Sequence, residues 1–255
     1  MDLRFVQTDF AGIEPEVRAH LASLPTATDS FHEHHVLTAM HYRILVGGEV
    51  AGFASIHAQE VITQFALAIG YRFLGQQVFA RLRRFEHVRA ALVPTNDEFF
   101  VVHALDDYRT LSKQACFFAV AESRVPPIPA GLRLRQATTE DIALIRDETD
   151  EEFEPVEQFI ANGELFVTER EGQAVGVGIM DVSKLYERVA SIGMATFASH
   201  RNQGVGTATI AMLIGECGRR GLRPVAGCWY YNHASKRTLE KAGMYSPTRY
   251  LRVEY

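Results

Sequence analysis

The chain has little cysteine: three in 255 residues, Cys116, Cys217 and Cys228, odd in number and far apart. With no C-x-x-C pair, a disulfide scaffold, a zinc knuckle and a redox dithiol are all excluded. Positive charge is not in excess either. Lys and Arg number 26 against 31 Asp and Glu, a formal charge of −5, so the global attraction of a basic protein for nucleic acid or anionic lipid is missing. No run of about 18 uncharged apolar residues occurs, so no membrane span is expected. The start, Met1-Asp2-Leu3-Arg4-Phe5, lacks the basic and apolar regions of a secretory signal. A cytoplasmic protein with reduced thiols, and with neither nucleic-acid nor membrane partners, is the expectation.

What is present is ordinary globular material: 47% hydrophobic and 22% charged residues, with 19 glycines and only 9 prolines. Three of those prolines fall together in Val125-Pro126-Pro127-Ile128-Pro129-Ala130-Gly131, which forbids helix and disfavours a central strand. Residues 125–131 therefore read as a linker between halves 1–124 and 132–255. The second half alternates and repeats as β-α-α-β-β-β-α-β-α-β, with strands at Leu132–Ala137, Glu164–Arg170, Ala174–Leu185, Val189–Phe197, Val225–Tyr231 and Tyr250–Tyr255. Thr139 is the expected N-cap of its first helix; Thr207–Arg219 and Ala234–Ala242 are helical. The first half repeats hairpin, strand, glycine turn, helix, strand and helix over 42–105, which marks a duplicated domain. The class is mixed α/β, each half a central, mostly antiparallel sheet flanked by helices.

Chemistry concentrates in Met194-Ala195-Thr196-Phe197-Ala198-Ser199-His200-Arg201-Asn202-Gln203-Gly204-Val205-Gly206-Thr207. A strand ends, an arginine follows, and two glycines open a helix whose free N–H groups and dipole suit phosphate oxygens. Glycine at 206 would let a diphosphate approach the main chain. A P-loop is excluded because no Lys follows Gly206, and the dinucleotide fingerprint lacks its third glycine, Thr209 standing there.

Arg201-x-x-Gly204-x-Gly206 resembles the acetyl-CoA loop, [QR]-x-x-G-x-[GA], of the GCN5-related N-acetyltransferase (GNAT) superfamily. Asn232-His233-Ala234-Ser235-Lys236-Arg237-Thr238-Leu239-Glu240-Lys241-Ala242-Gly243-Met244 is similar to that family's second cofactor motif. The resemblance implies two tandem GNAT-like domains. It also implies acetyl-CoA as cosubstrate, held by Met194, Ala195 and Thr196 on the fourth strand, by Arg201, Asn202, Gln203, Gly204, Val205, Gly206 and Thr207 in the turn, and by Asn232 and Ser235. A neutral amine would attack the thioester directly, with a strand-four N–H stabilising the oxyanion, worth about 3–4 kcal/mol in comparable sites. The acceptor is expected to be a small-molecule primary amine; a protein amine, or CoA binding without catalysis, are the alternatives.

Two departures from the pattern stand out. Leu239 occupies the position where the family commonly has a tyrosine to protonate the thiolate, and the fourth strand carries no carboxylate base. Candidate replacements are Tyr231, His200 and Glu152, with Tyr230, Glu151 and Glu154 as neighbours. In the first half, Arg72-x-x-Gly75-x-Gln77 echoes the loop, but glutamine replaces the second glycine, so this half reads as a degenerate copy without cofactor. His32-Glu33-His34-His35 with His41 lacks metal-protease spacing and reads as a solvated helix start, with no metal. Arg81, Arg83 and Arg84 read as a solvent-facing stripe, and a homodimer is a further expectation.

Overall fold

A computed structural model describes residues 2–121, 124–149 and 153–255. The chain divides into two compact units, Met1–Cys116 with Thr248–Tyr255, and Phe117–Pro247. The expected boundaries move: the first stretch stops at 116 rather than 124, residues 125–131 fall inside the second unit rather than between two halves, and Thr248–Tyr255 complete the first unit.

In the first unit, strands β1 (Leu3–Thr8), β2 (Met40–Val46), β3 (Glu49–His57), β4 (Val61–Leu67) and β5 (Ala90–Pro94) accompany helices α1 (Glu14–Ser23), α2 (Ser30–Leu37), α3 (Gly75–Leu82) and α4 (Glu98–Ala104). β1 to β4 are antiparallel neighbours. β4 and β5 are parallel, but only over Val61↔Ala90 and Ile62↔Ala91. α3 and α4 cover one face over an apolar core that includes Ile44, Phe65, Phe79, Phe100 and Val253. Side chains alternate across a strand, so the other face carries His41, Ser55 and Gln64, all buried. That face is polar and lies beneath α1 and α2.

β6 (Thr110–Val120) leads out of the first unit. The second unit contains β7 (Leu132–Gln136), α5 (Ile142–Thr149), α6 (Val156–Ala161), β8 (Leu165–Arg170), β9 (Gln173–Val182), β10 (Val189–Thr196), α7 (Val205–Arg219), β11 (Arg223–Trp229) and α8 (His233–Lys241). The final strand, β12 (Met244–Glu254), begins in the second unit and ends in the first. There Tyr250↔Pro94 to Glu254↔Ala90 pair it antiparallel with β5.

Local chemistry fixes these elements. β8 turns into β9 through Glu171 and Gly172, both at positive φ (52° and 86°), which matches the right-handed strand twist. Thr138, rather than Thr139, caps the turn before α5 through a reciprocal capping box with Asp141. Arg135 grips both Asp141 oxygens at 2.7 Å and Glu169 at 2.7 Å, and this guanidinium holds the Asp141 carboxyl at about 2. α7 settles on β9 where Gly178 leaves room: a Cβ there would lie 2.9 Å from Thr209 Cγ2 and 3.0 Å from Leu213 Cδ1. The Thr168 and Thr209 hydroxyls meet at 2.7 Å in this buried contact.

Candidate functional site

β10 and β11 run parallel and in register from Val189↔Arg223 to Ser191↔Val225, and there the pairing stops. β10 nevertheless continues to Thr196 and β11 to Trp229, so the two strands part and leave one edge of β10 without a strand partner. The direction of its main chain follows from the β9 pairing. Ser183 N–H donates to Val189 O, and Phe197 N–H to Val175 O, so odd-numbered positions of β10 exchange hydrogen bonds with β9. In an antiparallel ladder the alternate positions face the other way: the N–H and C=O groups of Ile192, Met194 and Thr196 aim toward the gap. Ala195, expected at the site, turns its main chain to β9 opposite Val177.

Past the end of β10, Arg201, Asn202, Gln203 and Gly204 are exposed. Asn202 and Gly204 are left-handed, at φ 60° and 79°, a conformation that asparagine and glycine tolerate best. α7 then starts at Val205 with no side-chain cap and no acidic residue in its first turn. Its leading N–H groups, from Val205 to Thr207, have no acceptor within the helix and form a positive, uncapped end. Val205 buries its side chain among Leu132, Val175 and Ala208, leaving only its main chain for a ligand. Arg201 Nε donates to Thr196 O at 3.3 Å. Gly206 is needed for a reason that differs from the expected diphosphate approach. A Cβ there would lie 3.1 Å from both Met194 Sδ and Thr196 Oγ1, and 3.3 Å from Thr238 Cγ2, so the missing side chain lets α7 close on β10 and α8.

Arg170, which sequence reasoning missed, holds the loop from the end of β8. Its NH1 donates to Gln203 Oε1 at 2.7 Å and its NH2 to Gln203 O at 3.4 Å. Gln203 in turn donates to Ser199 O at 3.1 Å. Nothing local to Arg170 signals this role, because the bond closes across 33 residues.

On the other side of the gap, Asn232 Oδ1 accepts from Ser235 N–H at 3.0 Å and caps α8. Trp229 and Tyr231 are exposed and meet edge to face at 5.1 Å. Lys236 Nζ donates to Tyr230 O at 3.0 Å and lies 4.3 Å from the centre of its ring. His200 ends the short turn Ala198–His200. Glu152 and Glu151 lie outside the described residues, whereas Glu154 is spent on Arg146 at 2.6 Å. Leu239 is buried; on α8 it is the preceding residue, Thr238, that reaches toward Gly206.

Two family models match the chain: "Acetyltransferase (GNAT) domain" over residues 10–121 and "Acetyltransferase (GNAT) family" over residues 133–244. The chain is a tandem member of the GNAT superfamily. Among solved structures, a GNAT-family acetyltransferase from Colwellia psychrerythraea superposes with a TM-score of 0.88 at 17% identity, with 100% of both chains covered. A GCN5-related N-acetyltransferase from Sphaerobacter thermophilus gives 0.64 at 14%, covering 99% of this chain and 95% of that one. A tandem GNAT protein from the clavulanic acid biosynthesis pathway gives 0.60 at 13%, covering 100% and 98%. These likenesses are of fold. No curated protein sequence matches.

The first GNAT unit repeats the parting of strands but fills the space. Ala68 N–H donates to Ala51 O, so the odd positions Phe65 and Leu67 turn away from β3, as Met194 and Thr196 turn away from β9. Arg72 Nε donates to Leu67 O at 3.4 Å. Beyond that likeness the units differ. The Arg72 guanidinium lies 5.3 Å over the Phe99 ring, and Gly75 is buried so close to α4 that a Cβ would collide with His103 and Phe99. His32, from α2, is buried with its ring 5.4 Å from Tyr250. Burial pushes His32 down to about 4, with His35 acting the same way and Asp97 and the Thr63 main chain opposing. The expected solvated helix start is thus corrected: His32 and Glu33 are both buried. Arg83 likewise leaves the expected solvent stripe, with its side chain 13% exposed, paired to Asp107 and lying over the Tyr255 ring. Among the described residues, no group of three His, Cys, Asp or Glu is placed to hold a metal. No described helix is long and apolar enough to cross a membrane.

Proposed function

We propose that the second unit binds acetyl-CoA and transfers its acetyl group directly to a primary amine of a small molecule. The observation that carries this reading is the parting of β10 from β11 beyond Ser191↔Val225, with Met194 and Thr196 turned toward it and the uncapped end of α7 at its mouth. The pantetheine arm would pair with those main-chain groups, and its diphosphate would sit at Arg201–Thr207. A neutral amine attacks the thioester carbon, and the oxyanion draws on a β10 N–H. The tetrahedral intermediate collapses with loss of the CoA thiolate. The amine proton passes to a base, for which Tyr231, His200 and Glu152 remain the candidates, directly or through water. Holding both reactants in one cleft supplies much of the rest of the acceleration. The first unit is proposed to bind no cofactor, because His32 and α4 occupy the corresponding space. Cys116 and Cys217 are buried thiols, which fits work in a reducing cytoplasm.

The buried Leu239 favours one second reading, cofactor binding without turnover, since that side chain offers no proton to the thiolate.

The test compares two variants at Gly204, where a Cβ meets nothing within 4 Å although φ is +79°. Gly204→Asn imposes the backbone strain alone; Gly204→Asp adds a negative charge facing the diphosphate. Acetyl-CoA is expected to raise Tm in the wild type and the Asn variant but not in the Asp variant. Equal shifts in both would remove the cofactor from this loop. Release of free CoA thiol with an amine library then separates transfer from mere binding.

A further inference from the structure

Gln203 immediately precedes Gly204, the N-cap of α7, so the chain carries a side-chain acceptor at the opening of that helix. No side chain caps α7, however, and the N–H groups of Val205, Gly206 and Thr207 find no acceptor among the described residues. Gln203 is engaged elsewhere. Its Oε1 accepts from the Arg170 guanidinium at 2.7 Å, and its main-chain oxygen accepts from the same guanidinium at 3.4 Å. Its amide nitrogen donates to Ser199 O at 3.1 Å. Arg170 stands at the end of β8. The carboxylate beside it, Glu169, is taken by Arg133 and Arg135, and Arg170 grips a neutral amide.

We propose that Arg170 is a positioning residue for the coenzyme: it holds the Gln203 side chain off the start of α7 and so keeps the Val205–Thr207 N–H groups free for the diphosphate. The inference rests on the acetyl-CoA reading given above. A side-chain oxygen at the opening of a helix accepts from the free N–H groups there, and a diphosphate would have to displace such a cap before it could bind. Arg170 removes that competitor by taking the Gln203 oxygen for itself. The guanidinium is a planar fork and meets two oxygens of one residue, which fixes the direction of the side chain as well as its place; a compact ammonium has no such fork. Arg170 thus acts through Gln203 without touching the ligand, and the coenzyme meets a loop that is already ordered.

The test is a double-substitution cycle on the whole chain: wild type, Arg170→Met, Gln203→Ala and the two combined, each titrated calorimetrically with acetyl-CoA. Methionine keeps an unbranched apolar stem and removes the fork. Arg170→Met is expected to bind acetyl-CoA about tenfold more weakly than the wild type, and the double variant about fivefold more tightly than Arg170→Met alone. That rescue is the decisive result, because a residue that merely braced the loop, or attracted the diphosphate by its own charge, would leave the double variant as weak as Arg170→Met or weaker. No rescue therefore overturns the proposal, as does undiminished binding by Arg170→Met. If the wild type itself binds no acetyl-CoA, the reading of the cleft falls and this proposal with it; if it binds and the rescue is missing, only the role of Arg170 falls. Should Arg170→Met not fold, Arg170→Lys takes its place in the cycle, with the same rescue expected.

Discussion

Arg201 reaches back five residues to donate from Nε to the carbonyl oxygen of Thr196 at 3.3 Å, tying the loop proposed to hold the diphosphate to the strand proposed to hold the pantetheine arm. Arg72 and Leu67 repeat this bond in the first unit at 3.4 Å, with the same spacing. The arginine is therefore first a loop-shaping residue in both units. Both side chains are exposed, and what differs is that in the first unit the guanidinium lies over the Phe99 ring.

Replacing Arg201 with alanine is expected to weaken acetyl-CoA binding by about tenfold, the loss of one charge-assisted bond of about 1.5 kcal/mol, with little change in Tm. Arg72→Ala should leave acetyl-CoA affinity unchanged. Isothermal titration of the two variants side by side checks both expectations, and equal losses would contradict the assignment of the cofactor to the second unit.

Trp229 is the only tryptophan in the chain and stands exposed at the parting end of β11. Its fluorescence is expected to change saturably with acetyl-CoA, with the same midpoint as the Tm shift. A cofactor bound elsewhere would leave the emission flat.

Leu239→Tyr would restore the side chain that GNAT relatives commonly use as an acid. Because position 239 points into the protein, the larger ring is expected to destabilise by about 1–3 kcal/mol through overpacking and to bring no gain in kcat. Chemical denaturation and steady-state rates read the two effects separately.

The stability of the chain should depend on pH through His32. Its pKa falls from 6.5 to about 4 on folding, so between those values the unfolded chain binds the extra proton and the folded chain does not. Stability from this group is present above about pH 6.5, declines as pH falls toward 4, and levels off below. Burial lowers His41 and His103 in the same direction. Tm measured from pH 7.5 to 4 should drop less steeply in His32→Gln than in the wild type.

Much of the second unit was legible in the sequence, because its strands alternate and its turns carry glycine in the required places. Gly172 and Gly204 are both left-handed, and a strand end, an arginine and two glycines mark the Arg201–Thr207 loop locally. Contacts that close over long separations leave no such mark. α2 reads as solvated because His32-Glu33-His34-His35 within it are all polar, yet His32 finds Thr28 at 2.6 Å and becomes interior. Arg170 could not be assigned, since its partner Gln203 is remote in sequence. The same holds for Tyr250–Tyr255, readable as a strand but not as a strand of the first unit, since pairing across so long a separation leaves no trace in periodicity.

That final strand makes the boundary between the repeats a poor place to cut. The outer edge of β5 is covered by the last residues of the chain, and Val253 and Tyr255 plug the apolar core beneath it. An isolated first repeat would expose that edge as a template for foreign strands. Its natural stopper, β12, follows the whole second unit in chain order, so the half synthesised first is the half finished last.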